Sequence, residues 1–207
     1  MAGKFFDIEQ NTPEWDQLRL GKFSASMIAS LFMDKKTKGY RDQITRVAFE
    51  CLCGRSQERY FNGWMRHGHE FEPEAAEAYV YTAFEQRGEI VELSNGGIWV
   101  LDEYTCASPD RAIVGLNGGV EIKCPSFQVY RDYFETGEIP KDYMLQMQMQ
   151  MLVTGWDFVD YMPYVSRSVR QILCRVDRSE EIISDIKQRL DDAINEAQEL
   201  IETIKPS

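Results

Sequence analysis

Asp110, Glu121 and Lys123 are the residues of this chain whose types and spacing suit a hydrolytic site. Asp110 closes the run Ser108-Pro109-Asp110. A stretch rich in glycine and apolar side chains follows, and then Glu121-Ile122-Lys123. Glu121 and Lys123 are two apart, so on a strand they share a face, while Val120 and Ile122 point the other way into a core. Gly115, Gly118 and Gly119 interrupt the stretch, which predicts two short strands, 112–116 and 119–123, joined by a turn. Such a hairpin returns Asp110 to Glu121 and gathers two carboxylates and an amine on one small surface. Two carboxylates are the oxygen set that Mg²⁺ or Mn²⁺ takes alongside water and phosphate. A cation held there polarises a phosphoryl oxygen and acidifies water. A lysine beside it would orient that water or stabilise charge on phosphorus, with its own pKa lowered by the cation. The chemistry expected is phosphodiester hydrolysis. The same spacing also suits a plain surface hairpin with a Glu/Lys pair, so the surrounding elements must decide.

Before the hairpin the chain reads as helical. Thr12-Pro13-Glu14 is a helix start, with Thr12 as cap, Pro13 in the first turn and Glu14 at the positive end, running to about Leu20 and stopped by Gly21. Ser24-Ala25-Ser26 opens a second helix bearing Met27, Ile28, Leu31 and Phe32. A polar loop over 34–39 precedes a helix whose apolar side is Ile44, Val47, Ala48, Cys51 and Leu52, ended by Gly54. Residues 57–84 read as mostly one long helix, acidic around Glu70, Glu72 and Glu74, with Pro73 marking a bend or a start. Then the period changes. Segments 89–93, 98–101 and 105–107 read as strands that continue with the hairpin as one meander.

After the hairpin, 126–135 is helical with Phe127, Tyr130 and Phe134 on one side. Residues 141–154 alternate Met and Gln like a strand, yet both residue types favour helix. On a helix Met144, Met147 and Met151 share a face, and Gln146 and Gln150 share another. Segments 158–164 and 171–176 read as strands. Residues 179–204 form a long amphipathic helix suited to packing on the body or to self-association. The total is α+β, a mixed sheet flanked by helices. One domain covers 1–207: a helical part to about 87, a sheet and catalytic core over 88–176, and a C-terminal helix over 178–205.

The 207 residues carry a net charge of −11, with 43% hydrophobic and 12% aromatic residues. That balance offers nucleic acid no general attraction, so an enzyme acting on DNA must concentrate its cations locally and recruit metal. Lys35, Lys36, Lys38, Arg41 and Arg46 are candidate phosphate contacts. The five cysteines match no disulfide framework and no C-x-x-C pattern, which points to a reduced, intracellular setting. The N-terminal stretch lacks the pattern of a secretory leader, and no apolar run reaches transmembrane length. The two histidines, His67 and His69, are spaced i,i+2, which does not suit one metal from a helix, so neither is assigned a ligand role.

Five segments, taken in order, resemble the lambda exonuclease family of phage alkaline exonucleases (YqaJ-type viral recombinases), within the PD-(D/E)xK nuclease superfamily. They are Trp15-x-x-Leu18-Arg19-x-Gly21-x-x-x-Ala25-Ser26, Gly68-x-x-x-Glu72, Ser108-Pro109-Asp110, Glu121-Ile122-Lys123-Cys124-Pro125, and Tyr143-x-x-Gln146-x-Gln148. The resemblance runs from about residue 12 to 164. It implies a restriction-endonuclease-like core and a Mg²⁺-dependent exonuclease, with Mn²⁺ as a substitute, that removes the 5′-ended strand of duplex DNA and leaves a 3′ single strand. It further implies a ring-shaped homotrimer, a single-strand annealing protein as partner, and work in the cytoplasm of a bacterial host, with no membrane involved.

Residue by residue, the resemblance makes Asp110 and Glu121 metal ligands, the backbone carbonyl of Ile122 a third, and Glu72 a further acid of the site. Lys123 matches the catalytic lysine, and Gln146 a glutamine that orients water. Arg19 matches the arginine that receives a terminal 5′-phosphate, with Ser26 and Ser108 completing the pocket. A guanidinium grips phosphate bidentately, and a helix start at 24–26 would add backbone donors. The apolar wedge of the family has no clear match between Ser26 and Gly68. Two rival readings stand beside this one. The first is another PD-(D/E)xK endonuclease of repair or restriction type. The second is a non-catalytic DNA-binding recombination scaffold.

Overall fold

The computed structural model describes the backbone of residues 2–56 and 63–206 and the side chains of 2–56 and 70–206. The reading of 57–62 as helix falls outside the described residues, and the reading of His67 and His69 outside the described side chains.

The first helix, α1 (Pro13–Arg19), forms as its caps dictate: the Thr12 side chain accepts from the Trp15 N–H, and Pro13 needs no donor there. A two-residue strand, β2 (Phe23–Ser24), leads into a 3-10 turn (Ala25–Met27) and the single-turn α2 (Ile28–Leu31). Helix α3 (Lys38–Cys53) is capped by Thr37 and closed by Gly54 at φ 63°. Its inner side is Ile44, Val47 and Ala48, whereas Cys51 and Leu52, expected on that side, are exposed in the last turn. Helix α4 (Gly63–Arg87) runs on through Pro73.

Nine short strands make two sheets among the described residues. One contains β1 (Lys4–Phe6), β4 (Ile98–Val100), β5 (Thr105–Ala107) and β2, in the order β1-β4-β5-β2. The other contains β3 (Leu93–Asn95), β6 (Arg111–Ile113), β7 (Gly118–Lys123), β8 (Phe158–Pro163) and β9 (Cys174–Asp177), in that order. The expected single meander is therefore corrected: β3 pairs with β6, while β4 and β5 belong to the other sheet with two strands from the N-terminal part. Gly96 explains the split. A Cβ there would lie 1.9 Å from the Pro109 carbonyl oxygen, so the chain passes hard against the Pro109–Asp110 backbone instead of turning back on itself. The first hairpin strand also ends earlier than expected, because Gly115 turns left-handed at φ 78° and leaves Val114 and Leu116 half exposed.

β7 and β8 are parallel neighbours with Glu121 opposite Tyr161, and two helices fill the crossover between them, α5 (Phe127–Thr136) and α6 (Lys141–Thr154). On α5 the buried pair is Tyr130 and Tyr133, not Phe127 and Phe134, which are 76% and 48% exposed. Tyr133 packs edge-on against Tyr161, and Tyr130 donates to the Arg170 carbonyl, which fixes the helix rotation. From Met147 to Thr154 helix α6 is buried on every side. Met147 and Met151 pack on the sheet with Val159, Tyr161 and Val176. Leu145, Met149, Leu152 and Val153 pack away from it, against the 3-10 turn, α2 and α7 (Glu180–Ile204). Helix α4 covers the sheet's other face, with Ala75, Tyr79 and Ala83 over Ile113, Val120, Ile122 and Met162. The result is an α+β fold in which α6 is the central helix and the end of β7 lies between α4 and α6.

Candidate active site

The β6–β7 pairing ends at Arg111 opposite Val120, so the last residues of β7 have no strand partner on that side. Asp110 takes the place of one. Its Oδ2 accepts the Ile122 N–H at 2.6 Å. A strand residue presents its N–H and C=O along the same edge, so the Ile122 carbonyl faces the Asp110 side. Glu121 points to the α6 face and is 1% exposed. Such a charge requires partners, and three contacts supply them: Gln146 Nε2 donates to its Oε1 at 2.6 Å, Gln150 Nε2 donates to its Oε2 at 2.5 Å, and Lys123 Nζ lies 2.5 Å from Oε1. Lys123 also donates to Gln146 Oε1 at 3.0 Å. The ammonium further lies over the Tyr143 ring, 5.1 Å from its centre.

Burial, Glu121 and Glu72 together push the Asp110 carboxyl well above its ordinary range, against Lys123 and the Ile122 N–H. Burial alone would lower Lys123, but Glu121 and Asp110 outweigh it and hold its ammonium above the usual value. The lowering expected beside a cation is thus opposed by the carboxylates on the same face. Cys124 is pushed up to about 11 by burial and by Asp110 and Glu72, so its thiol stays protonated. Glu72, expected as a further acid for the metal, is turned to Arg111, whose Nη1 reaches its Oε1 at 2.5 Å.

The second group of candidates gathers at the entry to the 3-10 turn. Arg19 stacks on Trp15, with its Cζ 4.2 Å from the ring centre, and donates to Ser24 Oγ at 2.9 Å. Ser24 and Ser26 are joined at 3.2 Å. Trp15 Nε1 donates to Ser108 Oγ at 2.8 Å, and Ser108 donates its own hydrogen to the Gly97 carbonyl at 2.6 Å. Arg19, Ser26 and Ser108 are therefore linked through Trp15 and Ser24, and Ser108 is two residues from Asp110. Ser108 spends its one hydrogen on Gly97, so here it acts as an anchor of the Asp110 loop rather than as a donor to an anion.

A family model for the YqaJ-like viral recombinase domain matches residues 14–157. The chain belongs to the YqaJ-like viral recombinase family. No curated protein gives a match to the sequence. Among solved structures, the alkaline exonuclease LHK-Exo from Laribacter hongkongensis is similar at 28% identity and TM-score 0.80, over 93% of this chain and 96% of that one. The same enzyme in complex with dAMP gives 27% identity and TM-score 0.79, over 94% and 96%. A phage-related exonuclease from Haemophilus somnus 129PT shares the fold at 17% identity and TM-score 0.62, over 92% and 99%.

In this YqaJ-like domain, no group of three His, Cys, Asp or Glu side chains among the described residues forms a ready cation cage. The donors present are two carboxylates and a strand carbonyl, the sparse oxygen set that suits Mg²⁺ completed by water and phosphate. Burial raises Asp110 most, and a cation beside Asp110 and Glu121 would offset the further rise that comes from the neighbouring carboxylates. The residues fit such an ion.

Sequence reasoning passed over Gln150, Arg111, Trp15 and Ser24 as members of the site. Gln150 was legible, since it is one helical turn from Gln146. The other three are set by tertiary contacts. The basic residues expected to meet DNA are largely engaged elsewhere: Lys35 with Asp192 and Glu196, Lys38 with Asp42, and Arg46 with Glu50 and the Lys22 carbonyl. Arg46 still serves the pocket indirectly, because Glu50 also accepts the Gly21 N–H and so pins the loop after Arg19. Gln148 anchors the start of α7, donating to the Asp177 carbonyl and accepting from the Ser179 N–H. No helix among the described residues is long and apolar enough to cross a membrane.

Proposed function

We propose that this chain is a divalent-metal-dependent exonuclease that enters at the ends of duplex DNA and removes the 5′-ended strand, leaving a 3′ overhang for phage recombination by strand annealing. The observation that carries the reading is the gathering of Asp110, Lys123 and Gln146, all half-buried, about the buried Glu121 at the end of β7, Asp110 through the Ile122 N–H, with the Arg19–Ser24–Ser26 cluster tied to the same loop through Trp15 and Ser108. The similarity to LHK-Exo, described as an alkaline exonuclease, supports it.

Asp110, Glu121 and the Ile122 carbonyl would hold Mg²⁺, with Mn²⁺ as a substitute. When bound, such an ion supplies Lewis-acid polarisation of the scissile phosphoryl group. The chain's own residues do the rest. Lys123, held as an ammonium by Glu121, donates to phosphate oxygens as charge builds on them. Gln146 sits between Lys123 and Glu121 and orients the attacking water through a neutral amide. Gln150 keeps Glu121 from swinging away. Arg19 and Ser26 receive a terminal 5′-phosphate, which only a strand end offers, so the pocket selects ends over internal bonds. A single domain, a homotrimer, a single-strand annealing partner and work in the bacterial cytoplasm belong to the same reading.

The test is digestion of linear duplex DNA, labelled separately at its 5′ and 3′ ends, with and without Mg²⁺, beside a closed circle. Metal-dependent loss of the 5′ label with the circle intact is the expected outcome. Nicking of the circle would replace the reading by an endonuclease, and no digestion in any condition by a binding scaffold.

A further inference from the structure

Arg111 follows Asp110 directly and opens β6. Strand alternation sends Arg111 and Ile113 to the α4 face and Ala112 to the α6 face, and the packing agrees, with Ile113 among the α4 contacts and Ala112 among those of α6. Glu72 comes to this side from α4 itself. Arg111 Nη1 lies 2.5 Å from Glu72 Oε1 and 2.6 Å from the Asp110 backbone carbonyl, and both side chains of the pair are about four-fifths buried. The two acids nearest Asp110 thus reach it from opposite faces and meet different cations. Glu121 has the lysine of its own strand, and Glu72 has a guanidinium that carries its charge at every working pH. A hard divalent ion takes Glu72 Oε1 only in competition with that guanidinium.

We propose that Arg111 is a built-in cation: it takes Glu72 out of metal coordination and holds the α4 side of Asp110, so each chain binds a single divalent ion, on the Glu121 side. The assignment rests on the metal-dependent reading above.

The experiment is a calorimetric Mn²⁺ titration of the full chain without DNA, for the native protein, Arg111→Ala, Arg111→Lys and Glu72→Gln, with thermal melts to verify folding. One Mn²⁺ per chain is expected for the native protein. Glu72→Gln should keep that number with an affinity changed by less than about tenfold. Arg111→Ala should take up a second ion, and Arg111→Lys should not. Two ions on the native protein, loss of the ion in Glu72→Gln, or a single ion on folded Arg111→Ala would overturn the assignment. If Arg111→Ala fails to fold, the native and Glu72→Gln results decide alone. A native protein that binds no Mn²⁺ would overturn the metal reading itself, and this assignment with it.

Discussion

Glu121 is a buried carboxylate whose two oxygens have different partners, and that asymmetry sets what each neighbour can do. Oε1 is shared by Lys123 and Gln146, whereas Oε2 belongs to Gln150, whose own Oε1 is buried without a partner. Gln150 is the tether on Oε2, and Oε1 is held on the Lys123–Gln146 side. Gln150→Leu should cost about 2 kcal/mol of stability, since it strips a charged acceptor of one bond. It should cut cleavage about tenfold, the effect of roughly 1.4 kcal/mol on a barrier. Full activity of a folded Gln150→Leu enzyme would contradict the tether. Lys123→Ala should keep its fold and lose at least about a hundredfold in rate, measured by release of end label. Asp110 adds a pH signature. Its folded-state pKa lies above the unfolded one, so its contribution to stability is complete below about 3.8 and is lost as pH rises through the folded value. Asp110→Asn removes that loss and can still accept the Ile122 N–H. Without divalent ions it should therefore melt higher than the native protein at neutral pH, by a few degrees for each ~1 kcal/mol gained, with the gap closing toward pH 4. A gap that stays constant with pH would refute this account of Asp110. The acid pair and the lysine were legible because spacing two apart is enough to put Glu121 and Lys123 on one face. Arg111 and Trp15 were not, because their roles depend on Glu72 and Ser108, far away in sequence.

At the scale of elements, periodicity revealed what was buried on one side or on all sides, and failed where a segment was short. Helix α6 was readable from its Met and Gln spacing, and α7 from its apolar stripe. The rotation of α5 was not, because two phenylalanines outweigh two tyrosines on any hydrophobicity count, while the tyrosines are the residues with partners to meet. The division into two sheets was hidden for another reason: three-residue strands carry little pattern, and the break depends on one close approach at Gly96. That approach is testable. Gly96→Ala should drive the Pro109–Asp110 backbone outward, costing about 2 kcal/mol or more and cutting activity further than the stability loss alone explains. Native kinetics in Gly96→Ala would show that the contact does not position Asp110. On β8, Asp160 ties α4 to β9. It is fully buried and accepts from Tyr79, Arg87 and Arg175 Nε and Nη2 at 2.8–3.0 Å. Asp160→Ala leaves two guanidinium groups without their shared acceptor and should cost about 3–5 kcal/mol in a denaturant melt.

For the whole molecule, the net charge of −11 and the internal pairing of its lysines and arginines set how DNA can be held. A protein that binds duplex along a basic groove replaces many counterions, and its affinity falls steeply with salt, by about 0.9 in log–log slope per phosphate neutralised. Among the described residues Lys35, Lys38 and Arg46 are paired with acids, and on the proposed reading the positive charge that meets DNA at the site would come from Arg19, Lys123 and a divalent ion. Binding of a 5′-phosphorylated duplex, measured by fluorescence anisotropy with Ca²⁺ to suppress cleavage, should show a shallow slope of about 1–3 between 50 and 200 mM monovalent salt. It should weaken sharply when the divalent ion is chelated. Arg19→Ala should lower affinity for 5′-phosphorylated ends about tenfold or more and leave 5′-hydroxyl ends nearly unchanged, because a bidentate phosphate contact is lost only where the phosphate exists. A steep slope in the native protein would mean that backbone contacts outside the pocket carry the binding, and equal losses on both kinds of end would remove Arg19 from phosphate recognition. A shallow slope together with end-selective loss would locate recognition in the pocket that Trp15 and Ser108 link to the Asp110 loop.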